Sequence, residues 1–173
     1  MIAIERIMPH YQTSDTVHEA AFRGGKAAGP ERHAWDVSPK EARAIQLRLC
    51  DEVETADCFP EITTVAGVDV SFPKNACGGR KRACAGSALL SFSDLTLLES
   101  VSACVEAAFP YVPGLLSFRE IPAVLAALAK LKRRPDMILC DGQGTAHPLR
   151  FGLASHLGVI TGIPCIGVAK SRL

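Results

Sequence analysis

The chain is 173 residues long, with 48% hydrophobic and 21% charged residues. That excludes wholesale disorder and provides enough chain to bury a core without help from a disulfide or metal. Lys and Arg number 19 against 18 Asp and Glu, a formal charge of +1, which excludes a strongly basic or acidic tail but not a locally basic nucleic-acid face.

The cysteines number seven, an odd count, with no Cys-x-x-Cys and several inside apolar runs. This predicts reduced, mostly buried thiols in a cytoplasmic protein rather than a secreted disulfide framework. Cys77 and Cys84 flank a basic stretch, but no histidine stands beside them, which argues against a metal knuckle. Charge interrupts the first residues, and no apolar run reaches membrane-span length; neither a signal segment nor a membrane partner is expected.

Residues 1–34 carry Gly24-Gly25 and Ala27-Ala28-Gly29-Pro30 without a sustained period. They predict a flexible N-terminal extension ahead of one domain at 35–173. Ser38-Pro39-Lys40-Glu41 spells a capping box with proline at the first helical position, and Ala42, Ile45, Leu49 and Val53 follow at helical spacing. Residues 64–72 alternate, with Val65, Gly67, Asp69 and Ser71 on one side and Ala66, Val68, Val70 and Phe72 on the other. Two further strands at 83–92 and 97–105, joined through Ser93-Asp94, complete a three-stranded antiparallel meander. Pro110-Tyr111-Val112-Pro113-Gly114 is a stiff loop. A helix with Ile121, Val124, Leu125, Leu128 and Leu131 on one stripe comes next, then a strand at 137–140. A glycine turn at 142–144 leads to a helix opened by His147-Pro148 and running to about Gly158, and a last strand covers 163–168. Strands first and β-α alternation afterwards predict an α/β fold, a mixed sheet with helices on its faces.

Asp69 interrupts a strand of Ala, Val, Gly and Phe, and Asp141 ends Met-Ile-Leu-Cys. A carboxylate in such a run is either paired or exposed at a strand end, or it binds metal. Two acids on adjacent strands would form a platform for a hard divalent cation such as Mg2+. Glu120 has two readings. It is either the third partner of a capping box begun by Ser117, or a free carboxylate just ahead of a helix that starts with Pro122; the two aspartates favour the second. His147 either caps and is solvated, or acts on an attacking water or a phosphate. His156 reads as structural. Lys170, past the last strand, is either an ordinary exposed lysine or a group that neutralises phosphate charge. Gly142-Gln143-Gly144 lacks the third glycine of a dinucleotide fingerprint, because position 147 is histidine. Tyr111, braced by Pro110 and Pro113, either packs on its own prolines or serves as a wedge or platform for a base.

Together these segments resemble the endonuclease V, or deoxyinosine 3′-endonuclease, family. The resemblance rests on Gly67-Val68-Asp69-Val70, Pro110 to Gly114, Ser117-Phe118-Arg119-Glu120, Asp141-Gly142-Gln143-Gly144 with His147-Pro148, and Gly167-Val168-Ala169-Lys170, in that order. It implies an RNase H-like fold and Mg2+-dependent hydrolysis of a phosphodiester on the 3′ side of a deaminated base, chiefly hypoxanthine. It further implies that Asp69, Asp141 and Glu120 are the metal-site acids and that His147 and Lys170 stand near the scissile phosphate. Tyr111 matches the wedge that fills the gap left by an extruded base, and Gly114 with its neighbours lines the base pocket. The expected partner is DNA containing deaminated bases, with the chain a monomer. Two departures stand out. His147-Pro148-Leu149-Arg150 replaces the usual His-Pro-Arg, moving a basic contact by one residue, and the chain stops where family members continue for several tens of residues. Three alternatives therefore stay open: an inosine-nucleic-acid binding module that does not cut, an inosine-specific ribonuclease, and, outside nucleic acids, a phosphate-binding α/β protein.

Overall fold

The structure is a computed structural model that describes residues 32–59, 61–73 and 81–169, together with the backbone of 3–9. Its strands are β1 (Ala3–Pro9), β2 (Val53–Glu54), β3 (Thr64–Ser71), β4 (Arg82–Ser91), β5 (Leu97–Glu106), β6 (Met137–Asp141) and β7 (Cys165–Ala169). Its helices are α1 (Pro39–Leu49), α2 (Leu116–Leu128) and α3 (Leu153–Thr161). The sheet order is β2-β1-β7-β6-β3-β4-β5. Strands β3, β4 and β5 form the expected antiparallel meander, while β6 joins β3 and β7 joins β6 in parallel. This is the mixed α/β sheet of the RNase H-like fold.

The local signals explain most elements. Ser38 caps α1: its Oγ accepts from the Glu41 amide at 3.3 Å, and the Glu41 carboxylate accepts from the Ser38 amide at 2.8 Å. That reciprocal pair satisfies donors the helix start leaves orphaned. The helix ends at Leu49 in a 3-10 turn, so Val53, expected on the helical stripe, lies in β2 instead. Ala66 and Val68 of β3, Ala83, Ala85 and Leu89 of β4, and Ile121, Val124 and Leu128 of α2 meet in one core with Leu153 and Leu157 of α3. A second cluster of Ala42, Phe109, Leu115 and Phe118 seats α1 beside the start of α2.

Four further expectations need correction. Residues 3–9, expected within a flexible extension, form β1, which pairs antiparallel with β7 from Ala3↔Ala169 to Ile7↔Cys165. Without it, β7 would present an edge of unpaired backbone groups. Residues 32–34, also assigned to the extension, are packed: the His33 ring lies 4.5 Å from that of Trp35 and 5.3 Å from that of Phe118, and Arg32 pairs with Glu52. The remainder of the extension, 10–31, lies outside the described residues. Thirdly, Cys84 and Cys104 are joined by a disulfide, so the thiols are not uniformly reduced. The two stand directly opposite in the β4–β5 register, with Cα atoms 4.0 Å apart. Cys140 and Cys165 are buried free thiols, and Cys77 lies outside the described residues.

The last correction concerns helix starts. Helix α2 begins at Leu116 rather than Pro122, which sits inside it. Burial of Ser117, Phe118, Glu120 and Ile121 outweighs the one backbone bond that proline forfeits. Helix α3 begins at Leu153, not His147. Before it, the chain turns through Arg150, whose φ of 52° is incompatible with helix continuation. Among the described residues, no helix is long and apolar enough to cross a membrane.

Candidate active site

The acids come together through strand register. Val68 of β3 faces Cys140 of β6 in the parallel ladder. One residue further along each strand are Asp69 and Asp141, which therefore project to the same side of neighbouring strands. Both are exposed. One Asp69 oxygen accepts from the Val70 amide at 2.8 Å.

Glu120 is neither a capping residue nor a pre-helix carboxylate; it lies within α2 and is only 9% exposed. Burial, and then the charges of Asp69 and Asp141, push its carboxyl up to about 7, against a smaller lowering by Arg119. A carboxyl raised by two neighbouring carboxylates marks a cluster of like charge that a cation would relieve. Arg119 is held aside, its guanidinium 4.3 Å above the centre of the Phe72 ring.

The turn after Asp141 is built backbone against backbone. Gly142 N–H donates to Val168 O at 3.0 Å, Ala154 N–H to Gln143 O at 3.0 Å, and Gly152 N–H to Gly144 O at 3.0 Å. A Cβ on Gly152 would come within 2.2 Å of Gln143 O, a backbone atom that cannot swing away. Gly152→Ala is therefore expected to destabilise the chain by roughly 1–3 kcal/mol. Urea unfolding checks this; an unchanged midpoint would contradict the packing.

Tyr111 is 71% exposed, so its ring does not retreat into the core. The loop closes through Leu115 N–H to Val112 O at 3.0 Å and through Gly114 at φ +80°, a left-handed conformation that suits glycine. The Gly114 carbonyl accepts two hydrogen bonds, from His147 Nε2 at 3.0 Å and from Gln46 Nε2 at 2.9 Å. His147 Nδ1 accepts from the Leu149 amide at 3.1 Å, so Nε2 carries the proton. Burial, with Arg43, keeps this imidazole below its usual pKa despite the Gly114 bond. Both of its nitrogens are committed to backbone: in this structure His147 is a strut tying the Tyr111 loop to the turn at 147–150. Arg150, the displaced basic residue, is exposed.

His156 is structural, as read. It is fully buried, its Nδ1 accepts from Ser117 Oγ at 3.0 Å, and its Nε2 lies 2.7 Å from Nε2 of His33. Burial first, and then His33, hold it well below its usual pKa. Ser117, the other half of the alternative capping box, uses its hydroxyl here. Lys170 lies outside the described residues. Sequence reasoning missed Gln46. The available signal was a glutamine four residues after Ala42 on the face of α1 that also buries Leu49.

As they stand, the acids are not a closed chelate: among the described residues, no group of three or more His, Cys, Asp or Glu is arranged to hold a metal ion. The donor chemistry nevertheless fits a hard divalent cation, since all three groups offer oxygen ligands and, after burial, the charges of Asp69 and Asp141 add to the rise at Glu120. Asp69, Asp141 and Glu120 are the residues that would hold it.

The carboxylates gather where the parallel strands of an RNase H-like sheet end, the position at which sites form in α/β sheets. A sequence model of the Endonuclease V family matches residues 47–173. Endonuclease V of a Nostoc species is 53% identical over 142 residues, covering 82% of this chain and 62% of that protein. The crystal structure of Endonuclease V from Streptomyces avermitilis superposes with a TM-score of 0.73 at 47% identity, covering 80% of this chain and 60% of that one. Endonuclease V of Ciona intestinalis, crystallised with a 24mer DNA containing an inosine followed by a ribo-adenosine, gives a TM-score of 0.69 at 32% identity over 78% of this chain and 58% of that one. The chain belongs to the Endonuclease V family. It spans about 62% of the length of the curated Nostoc relative.

Proposed function

We propose that the chain acts on nucleic acid containing a deaminated base, chiefly deoxyinosine in DNA, and hydrolyses a phosphodiester on the 3′ side of it with Mg2+. The observation that carries this reading is Glu120, buried in α2 and raised to about 7 beside Asp69 and Asp141. A relative solved with inosine-containing DNA supports the substrate class.

In this reading the residues divide the work. Tyr111, exposed and braced by Pro110 and Pro113, enters the base stack and offsets part of the few kcal/mol needed to extrude a base. The Gly114 backbone, held from behind by His147, lines the pocket for the extruded base. Lys170, just beyond β7, neutralises phosphate charge. Asp69, Asp141 and Glu120 would hold a divalent ion, which would supply Lewis-acid stabilisation of the phosphate. Mispaired hypoxanthine leaves the stack more easily than a paired base, which itself gives selectivity.

The test is incubation with Mg2+ and an oligonucleotide bearing one deoxyinosine. A nick 3′ to the inosine is expected, and Tyr111→Ala should reduce it about tenfold or more, the equivalent of ~1–3 kcal/mol of lost base stacking. No nick, under conditions where a full-length relative cuts, would refute cleavage by this chain. One observation favours a second reading: the chain spans 62% of the Nostoc relative, so it could retain the pocket and bind without cutting. Retarded inosine DNA without a nick would select that reading. An RNA strand of the same sequence separates a ribonuclease from both.

A further inference from the structure

Gln46 is polar, only 1% exposed, and far from every acid of the site in the chain. Its carboxamide donates through Nε2 to two carbonyls, Gly114 at 2.9 Å and Phe151 at 3.3 Å. The buried Oε1 has no hydrogen-bond partner. The amide's orientation follows from its neighbours, because turning it would set Oε1 against two carbonyl oxygens. An unpaired buried acceptor is unfavourable, so the side chain is placed for its donors. Those donors span the two segments that meet here: the Tyr111 loop, and the turn that follows His147. Gly114 O receives a second bond from His147 Nε2 at 3.0 Å. One carbonyl at the base of the loop is thus gripped from α1 on one side and from the imidazole on the other.

We propose that Gln46 is a positioning residue for base recognition: it holds the Gly114 carbonyl, and through it sets the height and angle at which Tyr111 meets the nucleic acid. The proposal rests on the reading of Tyr111 as the group that enters the base stack. Gln46 touches no substrate and acts only through the loop. His147 alone leaves Gly114 free to pivot about a single bond; the pair fixes it.

The experiment compares the unsubstituted chain with Gln46→Leu, which keeps the volume and removes both donors. Gln46→Met serves if the leucine variant does not fold, with circular dichroism and melting as the check. Hydrogen exchange is read at 110–115, and Kd is measured by fluorescence anisotropy for an oligonucleotide with one deoxyinosine and for its undamaged counterpart. Faster exchange confined to 110–115 is expected, with a fall of about tenfold in the preference for inosine, a factor any loss of loop positioning of this size would produce. Added to Tyr111→Ala, the Gln46 substitution should reduce that preference no further, because both act through one ring. Unchanged loop exchange in a folded variant would overturn the proposal, as would effects that add in the double variant. If the unsubstituted chain shows no preference for inosine, the reading of Tyr111 fails instead, and the exchange at 110–115 still decides whether Gln46 holds the loop.

Discussion

Asp141→Asn should reduce nicking of an inosine-containing strand by a thousandfold or more, about 4 kcal/mol of transition-state stabilisation. Asparagine keeps the shape of the side chain at the end of β6, so the turn through Gly142 and its bond to Val168 O remain. What is lost is one of the charges that attract a cation. Asp69→Asn should behave alike, because register places the two acids side by side on β3 and β6. Affinity for the inosine strand should change far less, since the Tyr111 loop is fastened through Gly114 and not through the acids. The pair of readouts is decisive: a variant that nicks normally would show that the acid is no ligand, and one that neither nicks nor binds would point to loss of the fold.

Glu120→Gln should make the metal-free chain more stable above neutral pH, by up to about 3 kcal/mol. The folded carboxyl titrates near 7, raised from 4.5 by burial and by Asp69 and Asp141. Between those two values the folded chain binds more protons than the unfolded one, so its stability falls as pH rises through that window and stays lowered above it. The Gln variant has nothing to ionise there. Urea unfolding in chelator at pH 5 and pH 8 should therefore show the difference between the two proteins opening at the higher pH. Adding Mg2+ should reverse the order, stabilising the unsubstituted chain more than the variant. Identical pH dependence in both would mean that Glu120 is not held against the aspartates as described.

Much of this arrangement could be read from residue order. Asp69 and Asp141 are visible because each interrupts an apolar strand pattern, and the Ser38 capping box and the β3–β5 meander follow from local rules. What escaped depends on contacts between distant segments. The start of α2 was misplaced because Pro122 looks like a first-turn residue locally, whereas burial of Phe118 and Ile121 extends the helix past it. The Cys84–Cys104 bond needs the β4–β5 register, which no count of cysteines supplies. The pairing of β1 with β7 joins opposite ends of the chain. Gln46 hid in an amphipathic helix, where a lone glutamine reads as solvent-facing until the loop above it is in place.

The contact between His33 and His156 fastens the segment ahead of Trp35 to the core. His33 Nδ1 donates to the Ala34 carbonyl at 2.8 Å and His156 Nδ1 accepts from Ser117, so the short Nε2–Nε2 contact is made by a His156 proton pointing at a His33 lone pair. An expression fragment beginning at Trp35, where the composition changes, would strip that acceptor from a fully buried donor, a loss of about 1–3 kcal/mol. Beginning at Arg32 retains it, along with the Arg48 bond to the Arg32 carbonyl at 2.9 Å, but still removes β1 and uncovers the edge of β7. The folded unit therefore reaches back past the glycine-rich stretch to β1, and His33 is a second tie between the N-terminal side of Trp35 and the core.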